Sequence, residues 1–294
     1  MDKSKINTQQ KFPVRFTKVS GAGNDFILFD TFNHLIPFFE EETIQKLCER
    51  GTGIGADGIL ILAPSSLADF QLKYFNADGT SGMLCANGAR CAIAYARNFF
   101  DIKEKKISIE CCGQIFYGEI LDENNIKFKL NNVTKTEFTN IIVKNTELKI
   151  FLVNTGAPHA VIPFEMLKTL GLVEGTFDDF SLEKIGAEIR NHSAFEPVGT
   201  NVNVISFNNN EVKIRSFEKG VEKETLACGT GITAAAIYLA TVHNYRSPIE
   251  IIPKSRKKFI VEFEKNGKTF ENIYLTGEAK IIYYGEIAEK LLND

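Results

Sequence analysis

Histidine is scarce, cysteine is modest in number and long apolar runs are missing. Each shortage narrows what the chain can do. Only four histidines occur in 294 residues, and none of the six cysteines (Cys48, Cys85, Cys91, Cys111, Cys112 and Cys228) stands in a C-x-x-C pair. Zinc-ligand spacing is therefore absent, and no metal site is expected. Six cysteines in a chain of this length are too few for a disulfide scaffold, and a reducing compartment suits them as free thiols. No stretch reaches the roughly 18 consecutive apolar residues of a membrane span. The start, Met1 to Gln10, is polar and lacks the apolar core of a secretory signal, which predicts a cytoplasmic protein with a flexible extension over residues 1–13. With 34 basic against 37 acidic residues and a formal charge of -3, nothing points to nucleic acid or an anionic membrane as partner.

What is present is ordinary in composition, with 44% hydrophobic and 24% charged residues, so a soluble globular chain with a sizeable core is expected. It is less ordinary in pattern. The stretch Leu84-Cys85-Ala86-Asn87-Gly88-Ala89-Arg90-Cys91-Ala92-Ile93-Ala94-Tyr95 has an echo half a chain later, Ala227-Cys228-Gly229-Thr230-Gly231-Ile232-Thr233-Ala234-Ala235-Ala236-Ile237-Tyr238. Each copy reads as a helix start, with small and capping residues before an Ala-rich run buried on nearly all sides. Each cysteine falls just ahead of the first turn, where unpaired N–H groups and the helix dipole favour a thiolate and would lower its pKa. Cys91, deeper in the first helix, reads as core.

The segments around these helices repeat as well. Pro13 to Val19 alternates apolar with polar and charged residues and predicts a strand that runs through Ser20-Gly21-Ala22-Gly23-Asn24-Asp25 into Phe26-Ile27-Leu28-Phe29. A short helix over 41–49 precedes Gly53-Ile54-Gly55-Ala56-Asp57-Gly58, and a strand over 59–62 follows it. That loop satisfies G-x-G-x-x-G formally, but a dinucleotide site needs the strand first and the helix after, so none is assigned. Phe70 to Phe75, Lys106 to Cys112, Gln114 to Ile120 and Asn125 to Leu130 read as strands, giving a largely antiparallel sheet. Cys111 and Cys112, adjacent in one of them, should point to opposite faces, and no role is assigned to either.

In the second half, Leu148 to Asn154 reads as a strand leading to the loop Thr155-Gly156-Ala157-Pro158-His159. Phe164 to His192 reads as mostly helical. Val202 to Phe207, Val212 to Phe217, Phe259 to Phe263, Ile273 to Leu275 and Ala279 to Tyr284 read as strands. The fold class is α/β (α+β), in two pseudo-symmetric halves. The seam is expected between Leu130 and Lys149, with one half over 14–132 joined by the C-terminal segment 280–294 and the other over 133–279.

If the halves are related by an approximate twofold, Cys85 and Cys228 face one another across a cleft. One thiolate could then remove a proton from a tetrahedral carbon while the other thiol protonates the opposite face, inverting it. Amides at both helix starts would hold the substrate carboxylate. This scheme calls for no metal and no cofactor.

Taken together, Gly21-Ala22-Gly23-Asn24-Asp25-Phe26, Phe75-Asn76-Ala77-Asp78-Gly79, Cys85-Ala86-Asn87-Gly88-Ala89-Arg90, Thr155-Gly156-Ala157-Pro158-His159, Gly199-Thr200-Asn201-Val202-Asn203 and Ala227-Cys228-Gly229-Thr230-Gly231 resemble diaminopimelate epimerase, in order from about residue 14 to about 288. The resemblance implies a pyridoxal-independent two-base epimerase that interconverts LL- and meso-diaminopimelate for lysine and cell-wall synthesis. It also implies a homodimer, each half of the chain being a sheet curled around a central helix. It makes Cys85 and Cys228 the acid and base, with His159 and Glu218 assisting. Asn24, Asn76, Ala86, Asn87, Asn201, Glu218, Lys219, Gly229 and Thr230 would hold the substrate. Three positions depart from the family pattern: Ala157 where Asn is common, Gly58 where some members have Gln, and Lys219 where Arg follows the Glu. Lysine cannot make the planar two-pronged contact of arginine with a carboxylate.

Three other readings compete. One is a related racemase acting on a different amino acid, and another is a cysteine nucleophile with His159 as base, which leaves the second cysteine unexplained. The third is a redox sensor in which Cys85 and Cys228 join reversibly.

Overall fold

Alternation of apolar and polar residues sets the strands, and two Ala-rich helices set what they wrap. The computed structural model describes residues 14–32, 39–82, 84–100, 102–208, 211–288 and 290–293; the extension expected over 1–13 lies outside them. The first half runs β1 (Val14–Gly21), β2 (Asn24–Asp30), α1 (Glu41–Cys48), β3 (Gly58–Ala63), β4 (Phe70–Asn76), α2 (Ala86–Phe99), β5 (Lys106–Cys111), β6 (Gln114–Ile120) and β7 (Asn125–Lys129). The second runs β8 (Thr136–Val143), β9 (Thr146–Asn154), β10 (Pro158–Pro163), α3 (Phe164–Thr169), α4 (Leu182–Arg190), β11 (Asn201–Phe207), β12 (Val212–Glu218), β13 (Lys223–Thr225), α5 (Gly229–Val242), β14 (Ile249–Pro253), β15 (Phe259–Asn266) and β16 (Thr269–Glu278). β17 (Lys280–Ile287) and the short α6 (Lys290–Asn293) close the chain.

The pairings repeat as the motifs do. β2–β3 is parallel and β3–β4 antiparallel, as are β10–β11 and β11–β12. The crossover through α2 makes β4–β5 parallel, and the crossover through α5 makes β12–β14 parallel. The hairpins β5–β6–β7 are matched by β14–β15–β16. β7 and β16 then pair with each other, joining the halves. The fold is mixed α+β with two repeated domains and a curled, unclosed sheet.

α2 and α5 share one core built from both halves, in which Ile93, Ala96, Ile232 and Leu239 pack with Phe128, Phe151, Phe259 and Leu275. The outer sheet faces are covered separately, by α1 with Phe29, Ile44 and Leu47 in the first half and by α3 and α4 with Phe164, Leu167 and Ile185 in the second. Small residues let the two central helices approach. A side chain at Gly229 would put its β-carbon 3.3 Å from Ala86 Cβ and 3.2 Å from Asn87 Oδ1, so the helix starts touch. None of the described helices is long and apolar enough to cross a membrane.

Several expectations need correction. The stretch expected to hold the seam also contains β8, whose exposed residues mix Phe138 and Ile142 with Glu137 and Asn140, so no clean alternation marks it as a strand. His159 lies in β10, not in a loop, because Pro158 begins a strand paired on both sides. The helical segment over 164–192 is two short helices with an irregular link between them. Cys111 and Cys112 do not point apart: Cys112 has a φ of 52°, which ends the alternation, and the two sulfurs are 3.6 Å from each other.

Candidate active site

Cys85 and Cys228 are the residues before the first turns of α2 and α5, both in extended backbone, and the contact between those turns brings them to one seam. Asn87 ties the seam together. Its Nδ2 donates to the carbonyl of Ala227 at 2.9 Å, just before Cys228, and to Asn24 Oδ1 at 3.2 Å. Asn24 Oδ1 is also the acceptor for the Cys85 thiol, at 3.9 Å. The four amides of Ala86, Asn87, Gly229 and Thr230 open the two helices and have no intrahelical carbonyl to bond, so two positive helix ends meet here.

The orientation of Asn24 comes from the loop that resembled a nucleotide motif. Asp57, in that loop, accepts from Asn24 Nδ2 at 2.6 Å, which turns Oδ1 toward Cys85. Asp57 is held in turn by Arg50 at 3.0 Å, and Arg50 also pairs with Asp25. Burial alone would raise the Asp25 pKa, but Arg50 and Lys18, the latter at 2.7 Å, hold it below the usual carboxylate value. Gly58 closes the same loop, where a β-carbon would lie 2.5 Å from the Phe75 carbonyl and 2.7 Å from the Tyr74 ring. Tyr74 fills the space that a longer residue at Gly58 would need.

Around Cys228 the polar groups form a directed chain. Ser216 Oγ donates to Asn203 Oδ1 at 2.8 Å, and Asn203 Nδ2 donates to His159 Nδ1 at 2.9 Å. That leaves the ring proton on Nε2, which lies 2.9 Å from Thr230 Oγ1. The Thr230 hydroxyl is then free to donate to Cys228 Sγ at 3.6 Å. Burial pushes the His159 pKa down to about 3, so the imidazole is neutral, and both its nitrogens are engaged. It has no nitrogen free to act as a base on a cysteine. Glu218, at the end of β12, shares a hydrogen bond with Cys228 and accepts another from Thr225; burial raises its pKa.

The expectation that the helix starts would lower the thiol pKa values is overturned. Cys85 is half-buried and Cys228 is 5% exposed. Desolvation raises Cys85 to about 11 against the Gly88 amide that stabilises its thiolate. It raises Cys228 well above 9, and the nearby Glu218 carboxylate adds to the shift. Loss of solvation here outweighs the partial charges of a helix end.

Other expected ligands are less available. Asn201 bonds the Lys219 amide at 2.9 Å and the Pro158 carbonyl at 3.0 Å. Asn76 is engaged with Thr80 of its own turn at 3.0 Å. Lys219 turns its ammonium to the Val198 carbonyl at 3.0 Å.

Arg90 escaped the sequence reading. It is wholly buried, donates to Asn87 Oδ1 at 2.8 Å and to the Ala86 carbonyl at 3.2 Å, and leaves Nε without a partner. Its guanidinium carbon lies 5.0 Å from the centre of the Phe259 ring, and burial draws its pKa down to about 10. A cation placed under the Asn87 bridge makes the electrostatic potential of the seam more positive. The repeat offered a signal, since the position matching Arg90 in the second copy is Thr233, an uncharged residue.

Comparison with known proteins follows the same lines. The diaminopimelate epimerase family model matches residues 16–136 and 151–282. A diaminopimelate epimerase of Aquifex aeolicus (strain VF5) is 33% identical over 95% of this chain and 100% of its own length. One of Flavobacterium psychrophilum is 32% identical over 92% of this chain and 98% of its own length. Among solved structures, a probable proline racemase from Agrobacterium radiobacter K84 superposes with a TM-score of 0.71 at 14% identity, covering 94% of this chain and 93% of that one. That last likeness is one of fold.

Proposed function

The chain belongs to the diaminopimelate epimerase family, and from that premise we propose that this isomerase interconverts LL- and meso-2,6-diaminopimelate with two cysteines and no cofactor, in the cytoplasm. Its product would serve lysine and peptidoglycan synthesis. The observation that carries the reading is the contact of two cysteine-led helix starts, bridged by Asn87.

In this mechanism Cys228 is the base. Its thiol already faces the Glu218 carboxylate, which takes the proton and leaves a thiolate that the Thr230 hydroxyl stabilises. The thiolate removes the Cα proton. Cys85, kept as a thiol by its surroundings, donates to the opposite face, and the configuration inverts. The reverse reaction uses the same two sulfurs with roles exchanged. The amides of Ala86, Asn87, Gly229 and Thr230 bind the carboxylate as charge builds on the carbanion. Asn24 and Asn76 lie on the first-half side and Asn201, Glu218 and Lys219 on the second, and each contacts substrate once the halves part to admit it. His159 acts through Thr230 as a positioning group.

A homodimer forms part of this proposal. β17 pairs only with β1 among the described strands and exposes Ile282 and Tyr284, an open edge for a second copy.

The test is inversion of LL-diaminopimelate in deuterated water. One solvent deuteron should appear at the inverted carbon of the meso product. Inversion that retains the original hydrogen, or exchange that survives loss of both cysteines, would overturn the mechanism.

A further inference from the structure

Cys111 ends β5 inside the shared core, and Cys112 opens the turn to β6 at the surface. Their sulfurs are 3.6 Å apart, closer than strand alternation allows, because Cys112 adopts a left-handed φ of 52°. Gly113, also at positive φ, completes a tight turn that holds them there. Cys112 lines a cavity of about 100 Å³ with Leu84, Ala86, Thr155, Gly156 and Thr230, at the mouth of the seam. Its Sγ also points to the Gly82 carbonyl at 4.0 Å, on the segment that leads to Cys85.

We propose that Cys111 and Cys112 are a peroxide-reactive thiol pair that closes a disulfide between neighbouring residues on the wall of the cleft. A thiol that solvent reaches, with a second sulfur in contact, is the arrangement in which an oxidised cysteine is captured before further oxidation. Cys112 is the sulfur a peroxide meets. Its S–H becomes S–OH with release of one water. The Cys111 sulfur then attacks it, its proton passing to the departing hydroxyl; the S–O bond breaks, the S–S bond forms and the second water leaves. Two thiols and one peroxide thus give one disulfide and two waters, each sulfur losing one electron and the peroxide gaining two. Burial keeps Cys111 protonated, with a pKa near 12, so it does not compete with Cys112 for the oxidant. Ring closure draws Cys112 Sγ toward Cys111 and away from Gly82, so the oxidation state of the turn is expressed at the cavity.

The full-length protein is treated with hydrogen peroxide, alkylated and mapped by mass spectrometry. The peptide holding residues 111 and 112 should lose two hydrogens, about 2 Da, and resist alkylation until reduced. Before oxidation Cys112 should alkylate at least about tenfold faster than Cys111. In Cys112→Ser, a surface change that leaves the core intact, Cys111 should stay a free thiol at the same dose. Sulfinic acid on Cys112, a bond from either sulfur to a different cysteine, or oxidation of Cys85 and Cys228 while both neighbours stay free would each overturn the proposal. The Cys85–Cys228 peptides report separately, so a failed epimerase mechanism leaves this result readable.

Discussion

Cys85 and Cys228 occupy the same backbone position, with φ and ψ of -100° and 110° in one copy and -111° and 107° in the other, yet the two sulfurs keep different company. Cys85 caps its own helix, accepting from the Gly88 amide at 3.5 Å, and faces an amide oxygen. Cys228 makes no capping bond and faces a carboxylate and a hydroxyl. α2 carries the buried Arg90, whereas the matching position of α5 is Thr233, whose hydroxyl donates to the Gly229 carbonyl of its own helix. Duplication supplied one device twice, and the side chains around it divided the labour. In the proposed mechanism one sulfur gives its proton to a neighbour, and the other keeps its own until it is needed.

That comparison breaks most clearly when either sulfur is removed. Cys85→Ala and Cys228→Ala should each lower inversion by about 10³-fold or more, measured as conversion of the LL to the meso isomer. The pair should differ in a second readout. Cys85→Ala should still exchange the Cα hydrogen of the isomer whose hydrogen faces Cys228, since Glu218 remains, and Cys228→Ala should not. Equal exchange in both variants would erase the proposed asymmetry.

Glu218→Gln comes next, with an expected loss of about 10²-fold in kcat at neutral pH. A Gln can bond to Cys228 but cannot take its proton, so undiminished kcat would remove Glu218 from the proton path. The pH profile sharpens the other side. Cys85 must be protonated to act as the acid, so activity is lost as pH rises through its pKa. With that pKa raised to about 11, the falling limb should lie near 11. A limb at the ordinary thiol value of about 8.5 would show that the sulfur is solvated during turnover. The smallest effect belongs to Thr230→Val, which deletes the hydroxyl between His159 and Cys228. A loss of about tenfold in kcat is expected, with about 1–2 kcal/mol lower stability in denaturant because the His159 N–H is left unpaired. Unchanged kcat would reduce the chain from Ser216 to Thr230 to a structural role.

The two cysteine helices were readable in the chain because their signal is local: a cap position, a glycine, an alanine run, each written twice. The strands with apolar faces were readable for the same reason. The relay behind Cys228 was not, because it depends on β10 lying parallel to β11, which sets His159 opposite Asn201 and beside Asn203. No spacing in the sequence announces that registry. The thiol pKa values were misjudged because a helix end is visible in sequence and its burial is not. Arg90 passed as one more charge on a helix, since only the packed core reveals that it never meets water. Asp57 sits inside the loop that formally satisfies the nucleotide motif, and its partner, Asn24, comes from a different part of the chain.

β17 crosses back from the second half to pair with β1 along its whole length. A ribosome therefore releases the strand that completes the first half only after the whole second half, and the nascent N-terminal half must wait with that edge bare. Fusing the ends and reopening the chain between β7 and β8 would make each half contiguous. Such a permutant should assemble its first half earlier during synthesis than the natural order permits.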